Sequence, residues 1–187
     1  MKVVAFGASN SRQSINQKLA FWAATRSGAE VIEIDLNDFE MPIYSIDREQ
    51  DEGIPPKAKQ FKSILNDSDG IVISFAEHNG SYSAAFKNIF DWMSRVERPI
   101  WSNKPMLLMA TSPGPRGAQG VLNVAVNSFP HQGGLVSGYF SLPSFGQNFN
   151  SETGITDEKL RSEFKKQLEK FKSNMDEKRT QSISVPT

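Results

Sequence analysis

The chain has 187 residues, with 21 basic and 21 acidic side chains, zero formal net charge and no cysteine. A chain of this length suits one folded unit, which buries about 70% of its unfolded surface and needs no disulfide or metal staple. Without cysteine there is no disulfide scaffold, Cys-ligated zinc, iron–sulfur cluster or thiol nucleophile; two histidines argue against a His-rich metal site, and zero net charge argues against a nucleic-acid partner.

Short apolar runs alternate with helical patterns along the chain. Val3-Val4-Ala5-Phe6 ends at Gly7 and reads as a buried strand. Ile15, Leu19, Trp22 and Ala23 follow at helical spacing. Val31-Ile32-Glu33-Ile34 is a second strand, and residues 35–55 form a long connection rich in Asp, Asn, Pro and Gly. Pro55-Pro56 opens a helix with Ala58, Phe61, Ile64 and Leu65 on one face, since Pro at a first turn forfeits no hydrogen bond. Residues 70–75 give a third strand; Phe86, Ile89, Phe90 and Met93 a helical face; residues 105–110 a fourth strand. Ala118, Val121, Leu122 and Ala125 form a helix closing near Gly133-Gly134, and residues 135–140 a fifth strand. Leu160, Phe164, Leu168 and Phe171 make a last helix, and the polar stretch 174–187 is expected to be a disordered tail. No apolar run reaches 18 residues and the N-terminus lacks a signal-peptide layout, so a cytoplasmic chain without a membrane segment is expected.

Strands alternating with helices imply an α/β, doubly wound parallel sheet covered on both faces. Such sheets bind ligands beyond the C-terminal strand ends, at the switch in strand order. The loops after strands one, three and four therefore carry the candidate site. The first, Gly7-Ala8-Ser9-Asn10-Ser11-Arg12-Gln13-Ser14-Ile15-Asn16, offers hydroxyls, amides and one guanidinium at a helix N-terminus, a setting for phosphate. It lacks the Gly-Lys-Ser/Thr ending of a P-loop and the spaced glycines of a dinucleotide fingerprint, so a phosphate monoester suits it better. Ordinary N-capping by Ser and Asn is the competing reading. In the second loop Asn79-Gly80 signals a tight turn, and Glu77-His78 suggests acid–base chemistry without specifying geometry. The third, Thr111-Ser112-Pro113-Gly114-Pro115-Arg116-Gly117-Ala118, leaves the N–H groups of Ser112, Gly114, Arg116 and Gly117 as donors, because proline has none. Asp91 and Trp92 read as packing or interface residues, Arg95 and Arg98 as surface cations or pairs across a dimer, and His131 as a helix-end cation.

The first loop resembles the Gly-Ser-x-Arg-x-x-Ser-x-Asn loop of the NADPH-dependent FMN reductase family. Glu77-His78-Asn79-Gly80-Ser81 with Lys87-Asn88 and Asp91-Trp92-Met93-Ser94-Arg95 resembles that family's Pro-Glu-Tyr-Asn-Gly-Ser…Lys-Asn…Asp-Trp-Leu-Ser-Arg signature, and the third loop its Ser-Pro-Gly-x-x-Gly. The motifs keep the family's order over roughly residues 3–145. Ala76 and His78 depart from its usual Pro and Tyr, and the first loop carries one extra polar residue, which shifts the register of individual phosphate ligands by about one position.

The resemblance implies a flavodoxin-like five-stranded sheet of order 2-1-3-4-5 within a cofactor-binding domain over residues 1–173. It implies noncovalent FMN, with Ser9, Ser11, Arg12, Ser14 and Asn16 at the phosphate, Glu77, His78, Asn79 and Gly80 along the ribityl chain and ring, and Ser112, Gly114 and Gly117 at the far end of the ring. NADPH or NADH would be the cosubstrate, a small molecule such as a quinone the acceptor, and a homodimer or homotetramer the assembly. The flavin would carry the chemistry; no metal is expected, and His78 is the one side chain considered for a proton. A flavodoxin-type electron carrier and a non-redox mononucleotide-binding domain are the alternatives; zero net charge speaks against the first, since such carriers present an acidic face to basic partners.

Overall fold

In the computed structural model, which describes residues 1–183, the apolar runs become five parallel strands. The elements in order are β1 (Lys2–Ala8), α1 (Ile15–Ala24), β2 (Glu30–Ile34), α2 (Ile46–Glu52), α3 (Pro56–Asn66), β3 (Gly70–Phe75), β4 (Glu77–His78), β5 (Ser81–Tyr82), α4 (Ala84–Val96), β6 (Lys104–Thr111), α5 (Gln119–Ser128), β7 (Gly134–Leu142), α6 (Phe145–Asn148), β8 (Phe149–Asn150), β9 (Gly154–Ile155) and α7 (Glu158–Ile183). The sheet order is β2-β1-β3-β6-β7, which counts as 2-1-3-4-5 among the five long strands, as the family resemblance implied.

Strand side chains alternate faces, so a strand buried on both sides reads as one apolar run. Val4, Phe6, Ile71, Ile73, Met106 and Leu108 join the layer formed with α3, α4 and α5. Val3, Ala5, Val72, Leu107 and Met109 join the layer formed with α1 and α7. The first layer is aromatic: Trp101 stacks on Phe129 at 4.4 Å and on Phe90 at 5.4 Å.

Two expectations change. Residues 35–55 are not one irregular connection: Leu36–Phe39 forms a 3₁₀ turn and Ser45 caps α2 by accepting from the Arg48 N–H. The break expected at residue 174 is also corrected, because α7 runs on through 174–183. Met175 is 1% exposed and sits with Phe171 against Gly70, where a Cβ would lie 2.5 Å from the Met175 sulfur. The helical spacing of Phe171 and Met175 carries the apolar stripe one turn further than the composition suggested. Residues 184–187 of that expected tail lie outside the described residues. No helix among the described residues is long and apolar enough to cross a membrane.

One buried cation pins the first layer. Lys62, on α3, is 1% exposed, and its Nζ donates to the carbonyls of Pro99 (2.9 Å) and Ile100 (2.7 Å) and to Ser102 Oγ (2.6 Å). Burial pushes this ammonium below the ordinary lysine value of 10.5, while Glu97, 4.0 Å away, pulls it up. Lys62→Met strands these acceptors and is expected to lower stability by about 3 kcal/mol. Because the folded-state value is the lower one, the unfolded chain binds more protons between that value and 10.5, and native stability rises with pH across the window. Urea unfolding at neutral and alkaline pH should show the gap between native and variant widening on the alkaline side.

Candidate functional site

The order of the sheet sets β1, β3 and β6 side by side, so the three loops at their C-terminal ends form one rim. The loop after β1 starts with a close approach. A Cβ on Gly7 would lie 2.3 Å from the Gln17 nitrogen, so glycine alone lets the first turn of α1 press on the strand end. Ser14 caps α1, its Oγ accepting from the Gln17 N–H at 3.1 Å. The N–H groups of Ile15 and Asn16, in that same first turn, have no partner within the helix. Above them the loop is folded on its own hydroxyls: Ser9 Oγ accepts from the Ser11 N–H and Ser11 Oγ from the Gln13 N–H, at 3.2 and 3.4 Å. Both hydroxyl hydrogens stay available, and Ser11 and Arg12 are exposed.

Asn16 is placed differently from the expected phosphate ligand. It is 3% exposed and faces the sheet. Its Oδ1 accepts from Ser74 Oγ (2.7 Å) and the Thr111 N–H (3.1 Å), and its Nδ2 donates to the Thr111 carbonyl (3.1 Å). The side chain is thus a buried brace joining α1, β3 and β6. Elsewhere in the loop Asn10, Ser11, Arg12 and Gln13 are exposed, Ser9 is half-buried, and the buried Ser14 hydroxyl sits at the helix entrance.

The loop after β3 is a two-residue hairpin. Glu77 and His78 pair with Tyr82 and Ser81, and the turn residues Asn79 and Gly80 have φ of 52° and 77°. Two successive positive φ values define a type I′ turn, for which Asn-Gly is the favoured pair. His78, Asn79 and Gly80 are exposed at the tip. Glu77 is again unlike the expectation, because its carboxylate turns away from the tip and accepts from the Val121 N–H in α5 at 3.0 Å. Ser83 closes the hairpin onto β1, donating to the Ala8 carbonyl at 2.9 Å and capping α4.

In the loop after β6, Ser112 Oγ donates to the Gly114 carbonyl at 3.2 Å, and the same carbonyl accepts from the N–H groups of Gly117 (3.3 Å) and Ser144 (2.9 Å). The Gly117 N–H is therefore spent inside the turn and the residue is buried, a correction to its expected place among free donors. Ser112 and Gly114 remain half-buried at the rim.

Sequence reasoning missed the second wall. A cavity of about 200 Å³ lies between Asn10, the stretch 36–43 and the α4 residues Ala84, Ala85, Asn88 and Ile89. Asn88 shapes it, donating to the carbonyls of Met41 and Pro42, both at 3.1 Å, and accepting from the Tyr44 N–H at 2.9 Å. Trp92, fully buried, adds a bond from Nε1 to the Pro42 carbonyl at 2.8 Å. The Lys87-Asn88 and Asp91-Trp92 pairs were the available signal. Arg95 pairs inside the chain, its Nε 2.9 Å from Glu49 Oε2. The buried side-chain polar atoms without a partner among the described residues, Trp22 Nε1, Trp101 Nε1 and Gln132 Oε1, lie outside the three loops.

The model of one family, described as NADPH-dependent FMN reductase, matches residues 1–147 and so contains all three loops. The chain belongs to this family. A 2-hydroxy-1,4-benzoquinone reductase of Burkholderia sp is 33% identical over 63% of this chain and 63% of its own length. A quinone reductase of Escherichia coli is 33% identical over 40% of each chain. These matches span less than two thirds of the relatives' lengths. An NADPH:quinone oxidoreductase of Arabidopsis thaliana is 27% identical over 75% of this chain and 72% of its own. Among solved structures, a flavoenzyme NAD(P)H:(acceptor) oxidoreductase from Paracoccus denitrificans superposes with a TM-score of 0.72 at 24% identity, covering 94% of this chain and 97% of its own, a likeness of fold.

Proposed function

We propose that this family member binds FMN noncovalently at the three-loop rim, takes hydride from NADPH or NADH, and passes the electrons to a small acceptor such as a quinone. The observation that carries this reading is the loop after β1, where Ser9, Ser11 and Arg12 stand over the first turn of α1 with donors to spare. A phosphate monoester needs this set of hydroxyls, a guanidinium fork and helix N–H groups. The rest of the rim fits the remainder of the group: the exposed Asn79-Gly80 turn presents backbone to a ribityl chain and ring edge, and Ser112 and Gly114 flank the far side.

Bound FMN supplies hydride and electron transfer at its ring; the protein supplies binding, orientation and field. In this reading Ser9, Ser11 and Arg12 anchor the phosphate, and the Ser14 cap keeps the α1 N–H groups aimed at it. The Asn79-Gly80 tip would hold the ring edge through its exposed backbone. His78, exposed at that tip, is placed to hold a proton for the acceptor. The cavity beside Asn10 and Asn88 gives a small acceptor a wall of Phe39, Met41 and Ile89. A homodimer or homotetramer is part of the proposal; Ile43, at the cavity beside Asn10, and Ile46 are exposed and give a second subunit an apolar contact.

The test is an absorption spectrum of the purified protein, followed by NADPH and then NADH without oxygen. Yellow protein with one FMN released per chain, bleached by either nicotinamide, is the expected result. Colourless protein that fails to take up added FMN overturns the reading. Sustained NAD(P)H oxidation with a quinone separates the enzyme from an electron carrier, which turns over scarcely at all.

A further inference from the structure

Helix α5 begins without a cap of its own. Its N-cap position is Ala118, in a left-handed conformation (φ 57°), with no side chain to accept from the first turn. Glu77 fills that role from the hairpin, accepting from the N–H of Val121, the third helical residue. This is where an N-cap serine ordinarily bonds, and a carboxylate there also meets the positive end of the helix. Space for it comes from Gly120. A Cβ on that residue would lie 3.0 Å from Glu77 Oε2, 3.2 Å from Oε1 and 3.3 Å from the carboxyl carbon. Glycine in a first helical turn is otherwise a poor choice, because it forgoes the helix propensity of alanine. At the other end of α5, the Tyr82 hydroxyl lies 3.3 Å from Ser128 Oγ. The hairpin is therefore strapped to both ends of one helix, by its first and last residues.

We propose that Glu77 is a positioning residue, held by the gap at Gly120, which fixes the hairpin tip against the loop that precedes α5. Under the FMN reading, on which this inference rests, the strap sets the distance between the two loops that clasp the flavin ring. Glu77 acts through the hairpin and α5, and its side chain leaves the ring contacts to backbone atoms of the tip.

The strap makes a testable demand: Gly120→Ala harms the protein only when Glu77 is present. The experiment compares native protein with Glu77→Ala, Gly120→Ala and the double variant, reading Val121 amide exchange and melting temperature in the FMN-free protein, and FMN dissociation constants by fluorescence. Each single variant is expected to speed Val121 exchange and weaken FMN binding by about tenfold. In the Glu77→Ala background the added alanine has nothing to displace. There Gly120→Ala should leave FMN affinity unchanged and raise the melting temperature, a reversal of sign that independent sites cannot give. Glu77→Gln keeps an acceptor oxygen and should restore most of the affinity lost in Glu77→Ala. Equal effects of Gly120→Ala in both backgrounds overturn the strap. Faster Val121 exchange with unaltered FMN affinity overturns the positioning role. If native protein takes up no FMN, the functional reading fails by itself, the positioning role falls with it, and exchange and melting still decide the strap.

Discussion

Asn16→Ala should be the most damaging single change in the rim, and the damage should appear in the FMN-free protein. The substitution strands the Ser74 hydroxyl, the Thr111 N–H and the Thr111 carbonyl, all within buried residues. A buried group left unpaired costs roughly 1–3 kcal/mol, so an overall loss of about 4 kcal/mol is expected. For a chain of this size that lowers the melting temperature by about 8–16 °C. Weaker FMN binding follows only as a consequence of the loosened strand ends. A phosphate ligand would behave in the opposite way, with melting near native and affinity lost outright. Asn16→Asp sharpens the contrast. Its carboxylate still accepts from Ser74 and the Thr111 N–H but faces the Thr111 carbonyl, which favours the protonated acid. A carboxyl raised above its unfolded value contributes stability below about pH 4, lost as pH rises through the folded value. Thermal melts of that variant should therefore improve on mild acidification, relative to native protein, and a flat difference would refute the brace.

Arg12→Ala should do the reverse. Arg12 is exposed and makes no hydrogen bond or ion pair among the described residues, so melting of the FMN-free protein should stay within about 1 °C of native. A charge-assisted bond to phosphate contributes about 1.5–3 kcal/mol, so FMN affinity should fall roughly 10- to 100-fold. Riboflavin has the same ring and ribityl chain without the phosphate, and its affinity should not change. A parallel fall for riboflavin would mean that Arg12 faces the ring and that the phosphate lies elsewhere. Tight FMN binding unaffected by Arg12→Ala would remove the loop after β1 from the site.

The sequence shows the sheet and the loops at its rim because each rests on local pattern. Both-face burial writes β1, β3 and β6 as unbroken apolar runs, and the type I′ turn writes itself as Asn79-Gly80. Two errors concern side chains whose partners are distant in sequence, and a third a backbone N–H spent within its own turn. Asn16 looks like a loop ligand until Thr111, 95 residues on, takes both ends of its amide. Glu77 looks like a ring contact until α5 proves to lack its own cap. Gly117 looks like a donor until its turn consumes its N–H. The extended last helix was missed for a milder reason: its polar face outnumbers an apolar stripe that Phe171 and Met175 continue past the composition break.

The brace beneath the rim is built from an amide, a hydroxyl and peptide groups, with no member that ionises in the physiological range. Its geometry is therefore indifferent to ionic strength and acidity, whereas the guanidinium above it is exposed and open to screening. A titration of affinity against added salt then reads the loop alone, because the foundation gives no slope of its own. The chain thus separates what must stay fixed from what is free to respond to its surroundings, placing the two on either side of the start of one helix.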